Sequence, residues 1–547
     1  MFSIPFMPAS SKPIVKIWYP LRLLPYEPLL NLTDNSDTEL TAVTGTDVYD
    51  RGLTSRTYAT AGLVLSSIIS VCCIITGVVI LTISGISGVI PLMRLGGTEL
   101  QKSLQVELLS LILNALVTLC TESTGFVHSI SLRSALASEG RLHFNTNLRI
   151  MTAARGRRNP NGALLNGTMA LLLILSYSSS SLVVFVNFSI TESAAITGLP
   201  LLVLGVALLL QVVIAFRGIW GVEVLTWSSS PFDVTVALVH DKKLTRFHSR
   251  CMCCVSDQGI DACPVKPSKT QLSAWRAHTS IRKVVISLWG VVVACAGWAV
   301  LVSYVKISYH SPQIPWSFLQ PQEVSIWYNM PGADLLVWIL LFINIAVIQG
   351  PLTMALHCSE LIANVIRDES QWRCATKKKG LRPTINPLKS IFAYPICLIL
   401  FVVKPFLHWM FGLSITVNTD AIDGTLHGQL QVYMFEAQIW NLCIALFICA
   451  CFFTLIALRR PRGPQPAAYG HLQTLANLVD SPLSHVMWWG HKADGPVCHA
   501  GTSDHELQEV KMDCDYAGSS VRSAASTISP IFEVIHLSLS TDLHGKI

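Results

Sequence analysis

His357 and Glu360 carry the clearest chemical pattern in the chain. They stand three apart in HCSELIANVIRDE, so a helix places both on one face. Asn364, Arg367 and Gln371 extend that face, while Leu361, Ile362, Val365 and Ile366 fall opposite. A His-x-x-Glu pair is half of a ligand set in di-metal helical bundles, which take matching ligands from other helices. The position that would match Glu360, three residues after His128, is Ser131. The pair therefore predicts a polar helix face on the cytoplasmic side of a span, wet along its polar edge, and no metal site.

Ionisable groups inside apolar stretches are the second candidate, because each costs a few kcal/mol at mid-membrane. Lys404, His408, Glu436 and Glu107 all fall in the outer halves of such stretches. Lys404 lies roughly 12 Å deep at 1.5 Å rise per residue, and His408 follows one turn outward on the same face. Glu436 enters the next stretch from the same side, so a Lys404–Glu436 or His408–Glu436 pair is expected across the last hairpin. These four residues form the candidate intramembrane polar site. The serine run Ser176 to Ser181 reaches similar depth and either lines a polar cavity or lets helices pack closely. The competing reading has Lys404 snorkel outward and the two glutamates sit among headgroups. Glu122, nearer the inner end of its stretch, reads as solvated.

Cys251, Cys253, Cys254 and Cys263 form the densest thiol group. One C-x-x-C spacing without a second pair leaves a zinc set incomplete. Acylated, metal-bound and inert thiols all remain open readings. Phosphate-binding loops, nucleophile elbows, H-E-x-x-H and dinucleotide fingerprints are missing, so no catalytic residue and no cofactor is predicted.

The elements that must position these groups are membrane spans. Of 547 residues, 51% are hydrophobic and 13% charged, about half the charge of a soluble domain. Mean hydropathy is +0.50. Eight apolar stretches, near 61–91, 104–128, 165–187, 197–216, 284–305, 334–356, 390–412 and 432–458, are each long enough to cross the bilayer as a helix. The fold class is thus an all-α polytopic bundle. Basic residues sit in short stretches between spans, which excludes a nucleic-acid partner.

Lys and Arg crowd every second connection. Arg133, Arg149 and Arg157 mark one, Lys242 and Arg250 the next, Lys377 to Lys379 a third, and Arg459 and Arg460 follow the last span. The alternate connections are poor in base, which predicts both termini in the cytoplasm. None of the sixteen cysteines falls in an outer connection, so no disulfide framework is expected. The expected organisation is a cytoplasmic arm over 1–58, four spans over 59–216, a cytoplasmic loop over 217–283, four spans over 284–458 and a cytoplasmic tail over 459–547. Pro20, Pro25 and Pro28 break the arm, and no cleavable signal peptide is visible. The outer connection 306–333, with Trp316, Trp327 and Tyr328, reads as an interfacial loop. In the tail, Leu472, Leu475, Leu478 and Val479 recur at helical spacing, and the Ser-rich end beyond about Cys514 reads as disordered. Asn31 and Asn187 head glycosylation sequons, the first on the silent side.

An internal echo runs through the chain. His128 precedes Glu139 and Asn159-Pro160 at nearly the spacing by which His357 precedes Glu369 and Asn386-Pro387. Two four-span halves in parallel orientation would produce it, related by an axis along the membrane normal; chance likeness of membrane hairpins would as well.

The stretches TWSSSPFD (226–233), HCSELIANVIRDE (357–369), YGHLQTLANL (469–478) and WWGHK (488–492) resemble a group of uncharacterised multi-span integral membrane proteins of fungi. In that group an acidic residue usually stands where this chain has His491. The resemblance implies about eight spans in a eukaryotic endomembrane or plasma membrane, and no activity. Two functions are compatible with these readings. One is transporter- or channel-like, through the intramembrane site. The other is a receptor or scaffold that binds a cytoplasmic protein through the 217–283 loop and the tail, with the lipid bilayer as anchor.

Overall fold

The computed structural model describes residues 53–517, apart from 87–88, 95–97, 188–192, 248, 258–263, 310–315, 320–325, 331, 333, 383–391, 421–428 and 481–485. The readings for the first 52 residues, for the sequon side chains, for Cys263, and for the end of the tail fall outside the described parts. The protein is an all-α multi-pass bundle. Eight of its described helices are long and apolar enough to cross a membrane.

The first half contains α1 (Leu53–Ser84), α2 (Glu99–Ser138), α3 (Ala163–Val183) and α4 (Gly198–Trp220), followed by the short α5 (Pro231–His240). The second contains α6 (Thr279–Ser308), α7 (Leu335–Cys358) with its extension α8 (Glu360–Trp372), α9 (Pro395–Ser414) and α10 (Glu436–Leu458), followed by the short α11 (Leu472–Leu478). Close approach between α1 and α4 depends on small residues. A Cβ on Gly77 would stand 2.7 Å from the Leu202 backbone nitrogen, so any larger residue pushes the helices apart.

Short strands join the helices on one side of the bundle, which the hydropathy pattern did not anticipate. β1 (Val89–Arg94), β2 (Val184–Asn187) and β3 (Ser193–Thr197) form one antiparallel sheet in the order β1-β3-β2. β4 (Ile326–Asn329), β5 (Ile415–Asp420) and β6 (Gln429–Met434) form another in the order β4-β6-β5. The strands continue the apolar runs of α3 and α9 without a break, so composition alone assigns them to the spans. Part of the expected interfacial loop is therefore β4, paired through Trp327 and Tyr433.

The two sheets give the halves a common frame. Ile196 faces both Ile90 and Val184, and Met434 likewise faces both Ile326 and Ile415. Val184 thus matches Ile415, and α3 matches α9 residue by residue. The contacts between halves obey the same exchange: α3 packs on α7, and α2 packs on α9. Tyr177 and His408 are matched positions, seven residues before Val184 and Ile415, and their rings stack at 3.7 Å with 13° between planes. Ser181 and Gly412, also matched, lie close one turn further along, where a Cβ on Gly412 would stand 4.0 Å from Ser181. The seam between the halves runs through these pairs.

The opposite side carries a folded layer built from the long connections on that side and the tail. Val265 bridges to Tyr516, Thr270 to Arg462, Leu381 to Met487 and Phe144 to His471. The 217–283 loop and the tail are thus parts of one structure. Helix α11, the tail segment expected from its spacing, packs against α5 and buries Leu472, Leu475 and Leu478. Each resembling stretch has a place here. Ser230 caps α5 by accepting from the Phe232 amide at 3.3 Å, with Pro231 at the first helical position. Glu369 accepts from the Ala468 and Tyr469 amides at 3.0 and 2.9 Å. Gly470 has φ +71° and would drive a Cβ into the Asp368 carboxylate at 2.7 Å, so only glycine fits. Trp489 packs edge-on to Trp372.

Candidate functional site

Lys404 occupies the middle of α9 and is 1% exposed. Its ammonium donates to the Oε1 atoms of both Glu122, from α2, and Glu360, from α8. His357, at the end of α7, aims Nδ1 at the same two oxygens, 3.1 Å from Glu360 and 3.7 Å from Glu122. Arg149, from the connection after α2, lies within electrostatic reach of both carboxylates. Four helices and one connection therefore converge on a single ion cluster. A lone lysine at this depth would be costly; two carboxylates supply the partners that make it tenable.

A cavity of about 470 Å³ is lined in part by this cluster. Its lining includes Asn147, Arg367, Glu122, Arg149, Glu360 and Lys404, together with the exposed Tyr58, Phe392 and Val402. Neither Tyr177 nor His408 is part of the lining; their stack lies on the next turn of α9, toward the strands. The Tyr177 hydroxyl donates to Thr118 Oγ1 at 3.0 Å, and Gln349 Nε2 donates to His408 Nδ1 at 3.1 Å. Gln349 also reaches Ser181 at 3.4 Å. A buried polar seam thus continues from the cluster between the halves.

The four expected intramembrane residues separate into three places. Lys404 and His408 belong to the centre. Glu436 does not pair with either: it accepts from Lys306 at 2.9 Å and Ser303 at 2.6 Å, near the strands. Glu107 accepts from the Trp409 indole at 3.0 Å, also near the strands. The adjacent hairpin was the wrong place to seek a partner for Lys404, because α9 contacts α2 across the seam at that depth. His357 and Glu360 are not on a wet cytoplasmic face; they are half of the buried site. Asn364 and Arg367 line the cavity as well. Glu122 and Arg149 were missed. The signal for Glu122 was available, since a carboxylate in LCTESTGF meets the same desolvation argument as Lys404.

The serine run packs and bonds within the bundle. Ser176 accepts from Gln211 at 2.8 Å, and Ser180 donates to Asn114 at 2.9 Å. In the folded layer, burial pushes the Cys251 and Cys254 thiols up to about 11, which makes them poor thiolates. His491, Asp494 and Cys498 group together there, with Lys511 paired to Asp494 at 2.5 Å.

Comparison with known proteins returned no matching family model, curated protein or solved structure.

Proposed function

We propose that the chain is a solute transporter whose central site is the cluster of Lys404, Glu122, Glu360 and His357, reached through the loop-side cavity. The observation that carries this reading is the ion cluster in the lining of that cavity. A bundle of this topology does not need it for packing: the position matched to Lys404 in α3 is Leu173, which is buried in an apolar cluster. Charges retained at such a cost, facing a cavity, mark a solute or ion path more often than a staple. Two parallel halves that meet at a narrow seam are the arrangement in which transporters rock one half against the other around a central site.

The basic excess in the connections that build the folded layer supports a cytoplasmic location for that side and for both termini. The fungal resemblance supports a eukaryotic endomembrane or plasma membrane. The receptor or scaffold reading draws on the layer being folded and thus able to engage a cytoplasmic protein; against it, the tail helix such a partner would read is buried.

The test is charge movement in proteoliposomes on a solid-supported membrane, screened over inorganic cations, organic amines and carboxylates. Wild-type protein should give transient currents with one solute class, and Lys404→Met should abolish them while remaining folded. Currents unchanged in a folded Lys404→Met protein, or absent for every class in wild type, defeat the reading.

A further inference from the structure

We infer that Glu122, His357 and Glu360 form a binding site for a divalent metal ion of borderline hardness, such as Zn²⁺ or Co²⁺, and that Lys404 is the tethered cation that fills it otherwise. The inference names the solute class for the transport reading and rests on that reading for delivery, not for binding.

Geometry is the first support. Two carboxylate oxygens and one imidazole nitrogen lie within 4.8 Å of one another. Donors at the corners of a tetrahedron around a metal at about 2.1 Å stand about 3.4 Å apart. The His357 Nδ1 separations of 3.1 and 3.7 Å bracket that spacing. Three protein ligands with one open position is the arrangement of exchangeable sites, whereas structural sites are closed by a fourth ligand.

The second support is the occupant. The Lys404 ammonium bonds the same two oxygens that His357 faces, so the pocket already holds a cation at the point of convergence. The Lys404 ammonium and the Arg149 guanidinium together balance the two carboxylates, so a divalent ion takes the place of the ammonium and leaves imidazole, a neutral ligand, in place. Lys404 itself lines the cavity, which gives its side chain a volume to swing into. His357 is the third support. Its side chain is fully buried and its Nε2 has no hydrogen-bond partner, so packing and the single Nδ1 contact with Glu360 at 3.1 Å hold the ring toward the carboxylates.

The measurement is Co²⁺ titration of purified full-length protein in detergent, followed by the visible d–d bands. An Asp494→Asn background removes the other three-ligand group among the described residues. Wild type should bind one equivalent, Lys404→Met should bind at least tenfold tighter, and adding His357→Ala to Lys404→Met should weaken binding at least tenfold. If Lys404→Met folds poorly, Co²⁺ should raise its melting temperature, and His357→Ala in the wild-type background still reports the ligand set. Absence of binding in wild type, binding by Lys404→Met alone, or indifference to His357→Ala each overturns the inference. Currents with another solute class and no cobalt bound sink this site and leave transport standing; cobalt bound without any current does the reverse.

Discussion

The two halves of the bundle share a frame and differ in chemistry. With α8 counted as the extension of α7, both run helix, strand, helix, helix, two strands, helix, and both end in a short loop-side helix. Yet Lys404 of α9 has Leu173 as its counterpart in α3, and Glu360 after His357 has Ser131 after His128. Ser131 donates to Asn161 at 2.8 Å, an ordinary neutral contact. The first half thus shows what the frame looks like without the charges: apolar and well packed around Leu173, Leu201 and Leu204. The difference teaches that the charge cluster is an addition to the scaffold. It is also a joint product, since Glu122 comes from the half that lacks the lysine.

Substitutions at matched positions test that contrast, and Lys404→Met should have the largest effect. It leaves two part-buried carboxylates with Arg149 as their remaining cation, at about 3 kcal/mol or less. Leu173→Met, a swap of similar volume, should cost less than about 1.5 kcal/mol. Denaturation of both proteins in the same detergent compares them, and equal losses would break the contrast. Glu360→Gln should cost about 1.5–3 kcal/mol through its charge-assisted bond, against about 1 kcal/mol for Ser131→Ala.

The matched caps differ too. Ser230 caps α5, but the cap of α11 is His471 Nδ1, which accepts from the Thr474 amide at 3.2 Å. Burial, with His143 and His278 nearby, pushes His471 down to about 4, and burial alone does the same to His278. Both are neutral in the folded chain, while the unfolded chain takes up protons below about pH 6.5. Their contribution is therefore complete above that pH and falls as pH drops toward 4, by up to about 1.4 kcal/mol per histidine per pH unit. Hydrogen exchange, corrected for intrinsic rate, should show the amides of α11 opening faster at pH 5 than at pH 7, with α5 less changed. Equal loosening of both helices would contradict this. The smallest effect is expected at the seam. Tyr177→Phe keeps the stack on His408 and loses the hydroxyl bond to Thr118, for about 1 kcal/mol.

Much of the scaffold was legible in the sequence. Eight apolar runs place the spans, whereas the echo between His128 and His357 leaves a duplication and chance likeness equally open. Lys404 could be singled out because burial cost depends on one residue and its depth. Its partners could not be assigned, because pairing depends on which helices cross at that depth. Adjacent hairpins are the natural guess, and the seam between halves overrides it. The same limit explains why His357 and Glu360 looked like a wet face, and why Glu122 looked solvated. Their surroundings come from α9, some forty residues beyond Glu360 in the chain and far from Glu122. The strands escaped notice because Val184 and Ile415 extend apolar helices in composition while turning extended in conformation.

The claim that the ion cluster is the working centre faces its most direct test in one paired measurement. Solute-driven currents from wild type, Lys404→Met and Leu173→Met should be recorded in matched proteoliposomes, with folded protein quantified in each. The account predicts currents in wild type and Leu173→Met and none in Lys404→Met. A folded Lys404→Met protein that carries the wild-type current would contradict it.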